Sequence, residues 1–175
     1  LPFAANAGIA GRSLPGKQIV ALIEALRDEY SVIMLHHAEV PQIIKRTGVF
    51  CQEHLRLKDF IDLLAGCEKC LSVDTGGLYL AAAAGVPSVG IYDHVAPWLR
   101  AKRFPNIYSL YLRRPTCECL HHEECTCPEA FDAPCKTFDP QVAVEALANA
   151  YENGGRTYSV PLAMHVSHLH LLVRV

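Results

Sequence analysis

The fold is decided by CLSVDTGGLYLAAAAGVPSVGIY, the stretch from Cys70 to Tyr92. It contains two short apolar runs, Leu71–Val73 and Ser88–Ile91, which are typical of strands buried on both faces. Between them lie an aspartate, a threonine and two glycines, then four alanines that favour a helix, and a glycine and a proline that end it. A strand, a helix and a second strand in this order predict one βαβ unit of a parallel sheet.

The same alternation continues outward in both directions. Val32–Leu35 and Val49–Cys51 are further strand-like runs. Apolar residues recur at helical spacing from Ser13, the expected N-cap, to Tyr30, again over residues 57–66, and in a final helix capped by Asp139. Short strands alternating with helices predict an α/β fold with a mainly parallel sheet.

Two stretches lack this periodicity. Residues 93–135 accumulate proline, cysteine and histidine, and are expected to form a long Cys-rich loop. Residues 153–175 form a tail whose structure the sequence does not indicate. The expected organisation is therefore one domain, residues 1–152, followed by the tail, and the absence of an initiator Met suggests a piece of a larger protein.

Composition excludes several classes of protein. Hydrophobic residues make up 51% of the 175 residues, which is too many for a disordered chain. Sixteen basic against eighteen acidic residues give a net charge of −2, so nucleic acid is not an expected partner. The apolar run Leu78–Tyr92, which contains Gly85 and Pro87, is shorter than the roughly 20 residues that cross a bilayer, and no membrane span is expected.

The turn Asp74-Thr75-Gly76-Gly77 is the first candidate site. In an open parallel sheet, ligands bind beyond the carboxyl ends of the strands. The glycines leave the backbone accessible, and the first N–H groups of a helix are donors at its positive end, so the turn can hold a phosphate or diphosphate. The alternative is purely structural: Asp74 or Thr75 caps the helix, and the glycines shape a tight turn.

A cluster of thiols is the second candidate site. Five cysteines and two histidines lie close together in the predicted loop, and such soft ligands can bind zinc. Their C-x-C spacing is not the usual C-x2-C of a zinc knuckle, so a disulfide and plain reduced thiols stay open, the latter favoured inside a cell. The cysteines are Cys117, Cys119, Cys125, Cys127 and Cys135.

The run from Phe60 to Pro97 resembles the C-terminal lobe of glycosyltransferase family 9, the lipopolysaccharide heptosyltransferases. That family has a strand ending in Asp-Thr-Gly and a helix ending in Leu-Ala-Ala-Ala-x-Gly-Val-Pro, which here are residues 74–76 and 80–87. The start of the first helix at Arg12 and the cysteine-bearing loop before Asp139 are also similar, so the resemblance covers roughly residues 3–151. It implies a Rossmann-like three-layer sandwich, one lobe of a GT-B architecture.

The resemblance also implies a donor site. The diphosphate of a nucleotide sugar would lie at the start of the helix at Gly76, near Arg12, while Glu39 would contact the ribose or be a solvated carboxylate at a helix start. Arg12 replaces a Lys of many members, and Tyr79 replaces their usual His. The implied donor-binding residues are Arg12, Glu39, Asp74, Thr75, Gly76, Gly77 and Tyr79.

The implied function is inverting glycosyl transfer by the intact enzyme, in the manner of ADP-heptose:lipopolysaccharide heptosyltransferases. The partners would be a nucleoside diphosphate sugar, with an ADP-sugar favoured, and an N-terminal lobe that this chain lacks. No cofactor would be required for transfer. The protein would be cytoplasmic or peripheral at the inner membrane face. No residue here is an evident catalytic base, so the chain alone is expected to be inactive. The alternative is a non-catalytic α/β interaction module with a metal-binding Cys-rich loop.

Overall fold

The computed structural model describes residues 13–36, 38–93, 95–113 and 137–150, and the backbone of 157–161. The helices within these ranges are α1 (Gly16–Leu26), α2 (Gln42–Lys45), α3 (Leu57–Ala65), α4 (Gly76–Ala83), α5 (Pro97–Arg100) and α6 (Pro140–Ala148). The strands are β1 (Ile33–His36), β2 (Phe50–Glu53), β3 (Cys70–Val73), β4 (Ser88–Tyr92), β5 (Ile107–Arg113) and β6 (Thr157–Pro161). None of the helices in these ranges has the length and apolar composition that crossing a bilayer requires.

All the strand pairs are parallel, as the sequence predicts. One sheet has the order β3-β4-β5-β6, with Cys70 opposite Ser88 and Ser88 opposite Ile107. A second sheet consists of β1 and β2, with Ile33 opposite Phe50. The predicted α/β class is confirmed, and each of the three strand segments on which it rests lies in a parallel ladder.

Helices cover both faces of the sheet. Every residue of β4 is buried: Val89 and Ile91 pack in one apolar cluster with residues of α1 and α6, and Tyr92 packs in another with residues of α4. On β1, Met34 belongs to the first of these clusters, whereas Leu35 packs with residues of α3 and α4. The result is a three-layer arrangement of Rossmann-like type, because successive residues of each buried strand face opposite helical layers.

The sheet is divided, which the sequence did not indicate. Within the described residues β1 pairs with β2, and no hydrogen-bonded ladder joins it to β3. A cavity of about 660 Å³ lies between the two sheets, and its lining includes Leu22 of α1, Met34 of β1 and Leu71 of β3. The two sheets are connected instead by the apolar cluster that α1 and α6 share with β1, β3, β4 and β5.

The expectation that residues 93–135 form one long loop is wrong, and the tail, whose structure the sequence did not indicate, contains a strand. The predicted loop 93–135 contains α5 and all of β5, and the predicted tail contributes β6, which extends the sheet beyond residue 152. The strand β5 is a mainly apolar run buried on both faces, like the predicted strands Leu71–Val73 and Ser88–Ile91. It was not predicted because the flanking sequence is rich in proline, cysteine and histidine, which indicate an irregular loop. The remainder of that loop, residues 114–136, lies outside the described residues.

One predicted helix start is wrong and another is confirmed. Helix α1 begins at Gly16 with Pro15 in the N-cap position, so Ser13 is too early in the chain to cap it. Asp139 caps α6 as predicted, accepting a hydrogen bond from the backbone N–H of Gln141 at 3.0 Å. Gly85 follows α4 with φ at +84°, a left-handed conformation that glycine adopts without strain.

Candidate functional site

The candidate site lies at the carboxyl end of β3. The backbone N–H of Asp74 donates to the carbonyl oxygen of Ile91 at 3.1 Å, so the sheet holds the residue in place as the chain turns into α4. The side chain of Asp74 is only 6% exposed. A carboxyl group at this position is buried at an edge where parallel α/β sheets bind their ligands.

Tyr79 orients the carboxyl group of Asp74. Its hydroxyl donates to Asp74 Oδ1 at 2.6 Å, and its ring packs against that of Phe104 with centroids 5.2 Å apart. Residue 79 is in the first turn and a half of α4, so the helix brings its side chain back toward the residue that precedes the N-cap. The structure thus brings together two of the residues that the sequence singled out.

The phenol groups of this cluster stay neutral over a wide pH range. Burial, reinforced by the hydrogen bond to Asp74, raises the pKa of Tyr79 far above its usual value. Burial also raises the pKa of Tyr92 to about 12, with a smaller contribution in the same direction from the charge of Asp74. Tyr79 therefore acts as a fixed hydrogen-bond donor at neutral pH and carries no charge there.

The start of α4 is accessible. Thr75 occupies the N-cap position but makes no side-chain capping hydrogen bond, and its hydroxyl lies 3.2 Å from the hydroxyl of Ser72 instead. Gly76 is exposed, and a Cβ atom built on it would meet no atom of the described residues within 4 Å. The simple capping role considered for Thr75 is thus wrong. A ligand can approach the backbone at Gly76 without displacing protein atoms.

A small pocket connects this edge to the beginning of the described chain. Its volume is about 10 Å³, room for one water molecule, and Ser13, Asp74 and Asp93 are among the residues that line it. Ser13 is the first described residue and directly follows Arg12, which lies outside the described residues. The pocket therefore places the residue after Arg12 beside Asp74.

Glu39 has a different environment from Asp74. It follows β1, its side chain is largely exposed, and Lys45 Nζ lies 3.4 Å from its Oε1. Lys45 also pairs with Glu53, 2.9 Å away, and these two contacts form a small ionic network at the ends of β1 and β2. The hydrogen bonds and ion pairs of Glu39 in the structure do not connect it to Asp74 or Tyr79.

Sequence reasoning missed two residues beside Asp74. Tyr92 interacts with the hydroxyl of Tyr79, and the hydroxyl of Ser72 lies beside that of Thr75. The available signal was strand alternation: Tyr92 ends β4, and Ser72 is a polar residue inside β3. The five cysteines proposed as metal ligands lie outside the described residues. Elsewhere, in the ranges that the structure does describe, no group of three potential metal ligands comes together, and Cys51, Cys67 and Cys70 are free thiols.

Replacing Tyr79 by Phe should lower the free energy of unfolding at neutral pH. It should also make that free energy fall less steeply as the pH rises. A hydrogen bond to a carboxylate contributes about 1.5–3 kcal/mol, and Phe cannot donate one. Because the pKa of Tyr79 is raised in the folded state, its contribution is fully present below the unfolded value of about 10 and is lost as pH rises above it. Urea unfolding at pH 7, 9 and 10.5 should show a shallower alkaline decline for Tyr79→Phe. An identical decline for both proteins would contradict this role.

The fold and the site together define a class. The chain is an α/β protein of Rossmann-like type whose buried carboxyl group, held by a tyrosine, adjoins a glycine-rich helix start at the carboxyl edge of a parallel sheet. The model of glycosyltransferase family 9 (heptosyltransferase) matches residues 21–128, which is more than half of this chain. The chain therefore belongs to glycosyltransferase family 9. Comparisons with curated proteins and with solved structures gave no match.

Proposed function

We propose that this chain is the donor-binding lobe of a family 9 glycosyltransferase. The observation that supports the proposal most directly is the uncapped, glycine-rich start of α4 beside the buried Asp74–Tyr79 pair. Family membership supports glycosyl transfer as the reaction and a nucleotide sugar as the donor. The part of the chain matched by the family includes every residue of this cluster.

The diphosphate of the donor would lie over Gly76 and Gly77. The first N–H groups of α4 point away from the helix, and the helix dipole favours negative charge there. Thr75 would add a hydroxyl donor. Arg12, which precedes the pocket-lining Ser13 in the sequence, would pair with the diphosphate oxygens and counter the charge that builds on the leaving group.

Asp74 would accept hydrogen bonds from hydroxyl groups of the donor. Its Oδ1 atom already accepts from Tyr79, which fixes the rotation of the carboxyl group before the ligand arrives. The acceptor hydroxyl, deprotonated by a base outside this lobe, would attack the anomeric carbon in line and displace the nucleoside diphosphate with inversion. An ADP-sugar is the favoured donor.

Calorimetric titration of the chain with ADP, UDP and their sugar conjugates tests the proposal. We expect weak binding, because a donor held by one lobe stays half exposed and water competes for each polar contact. We expect no transfer, because the acceptor side and the base would come from the other lobe. Absence of binding by every nucleotide, or turnover by this chain alone, would contradict the proposal.

The second candidate function is a non-catalytic interaction module. It is favoured by Tyr79, which stands where a histidine is usual and which stays neutral, so it cannot offer a positive charge to a diphosphate. A module of this kind would bind none of the four ligands, whereas the donor lobe would bind at least one nucleoside diphosphate. The same titration therefore separates the two functions.

A further inference from the structure

An apolar surface is exposed around α5. Trp98 is 58% exposed and Leu99 is 71% exposed, although both are large hydrophobic residues in a well-packed part of the protein. The Trp98 ring meets the Tyr111 ring edge-on, with centroids 5.7 Å apart, so the indole is anchored on one side while the rest of it faces solvent. Exposed apolar groups that are held in place mark interaction surfaces more often than isolated ones do.

Three cations follow Trp98 and Leu99 in the sequence. Arg100, Lys102 and Arg103 are all exposed, and within the described ranges none of them forms an ion pair. We call Trp98, Leu99 and these three residues the basic aromatic patch. Six consecutive positions thus carry an indole, a leucine side chain and three positive charges that have no ion-pair partner among the described residues.

A second exposed leucine shows what distinguishes the patch. Leu57 is 66% exposed and is also flanked by two cations, Arg56 and Lys58. Both of those cations are paired, Arg56 Nε with Asp59 Oδ2 at 2.8 Å and Lys58 Nζ with Asp62 Oδ2 at 2.5 Å. The surface at Leu57 is therefore locally balanced in charge, whereas the basic aromatic patch keeps its positive charge.

We propose that the basic aromatic patch docks this protein on an anionic phospholipid bilayer. Tryptophan and leucine side chains enter the boundary between head groups and acyl chains, and adjacent Lys and Arg residues are attracted to anionic head groups. The chain as a whole has a net charge of −2, so its overall charge does not favour an anionic surface and the attraction has to come from a local group of cations such as this one. Nucleic acid would pair with the three cations through its phosphates, but it would leave the side chain of Leu99 exposed to water.

The patch lies at the same edge of the sheet as the candidate site. Helix α5 follows the carboxyl end of β4, and β4 pairs with β3, whose carboxyl end leads into Gly76. Docking would hold this edge near the bilayer, where an acceptor anchored in lipid would be concentrated. The docking itself does not depend on the nucleotide, so its test and that of the donor site fail independently.

Trp98 provides an intrinsic probe because it is the only tryptophan of the chain. The full chain is titrated with vesicles of phosphatidylglycerol and phosphatidylcholine, and with vesicles of phosphatidylcholine alone, while tryptophan emission and co-sedimentation are followed. We expect a blue shift and co-sedimentation with the anionic vesicles, both weakened by 0.5 M salt. Absence of both effects, or equal effects with the neutral vesicles, would overturn the proposal.

Two variants of the patch and one matched control identify the surface. Neutralising Arg100, Lys102 and Arg103 to Gln together should lower the partition coefficient about a hundredfold, and Leu99→Ser should lower it about tenfold. The control, Arg56→Gln with Lys58→Gln, should leave it unchanged. Equal loss in the control would overturn the proposal. The proposal would also be overturned if vesicles left the Trp98 emission unchanged while a single-stranded oligonucleotide shifted it. The same holds if self-association, measured by sedimentation, shifted the emission and vesicles did not.

Discussion

Gly76→Val should abolish nucleotide binding while the protein stays folded. A Cβ atom at Gly76 meets nothing within 4 Å in the part of the chain that the structure describes, so a larger side chain fits there but occupies the space over the first N–H groups of α4. A diphosphate would then be unable to reach those donors. We expect at least a tenfold loss of affinity for ADP or UDP by calorimetry, with the midpoint of urea unfolding nearly unchanged.

A glycine at the opposite end of a helix provides the control. Gly66 follows α3 in an ordinary right-handed conformation, and a Cβ atom there would make only normal contacts of 3.6 Å. Gly66→Val should leave nucleotide affinity as it is. Undiminished affinity in a protein that carries both Asp74→Ala and Gly76→Val would show that the nucleotide binds elsewhere.

Gly90→Ala should cause a large loss of stability. A Cβ atom at Gly90 would lie 2.6 Å from Tyr92 Cε2 and 2.8 Å from Leu78 Cδ2, closer than packed atoms approach. Both neighbours are completely buried, so neither can move away cheaply. Overpacking of this kind costs about 1–3 kcal/mol of the free energy of unfolding, which urea denaturation at pH 7 measures.

The matched substitution is Gly76→Ala. It adds the same methyl group at a position with no neighbour within 4 Å, so it should leave stability within about 0.5 kcal/mol. Equal losses for the two alanine variants would mean that backbone freedom, and not the contact with Tyr92 and Leu78, determines the effect.

Strands with a continuous apolar run were predictable where a clear break followed them. Gly85 and Pro87 separate the helical alanines from β4, and the predicted strand Ser88–Ile91 differs from the observed one by a single residue. The sequence around β5 shows neither alternation nor a nearby helix pattern. This segment is recognised as a strand from its pairing with β4 and β6 in the structure. The division of the sheet depends on the distance between strands, which no local pattern encodes.

The site was predictable as a set of residue types but not as a set of contacts. The Asp-Thr-Gly-Gly turn indicated the edge of the sheet, yet nothing in the sequence says that Tyr79 donates to Asp74 and that Thr75 turns toward Ser72. Those choices depend on burial and on competing partners. The same holds for Glu39: the sequence places a carboxylate after a strand, but the contact with Lys45 beside it is seen only in the structure.

The division of the sheet has a consequence for how the protein opens. Among the described residues, no hydrogen-bonded ladder joins β1 and β2 to β3–β6, so this pair can open as a separate cooperative unit that loses its apolar contacts with α1, α3 and α4. Amide protons of Met34 and Leu35 would then exchange with solvent faster than those of Val89 and Ile91. A nucleotide bound at Gly76 would slow exchange in the larger unit and leave the smaller one untouched.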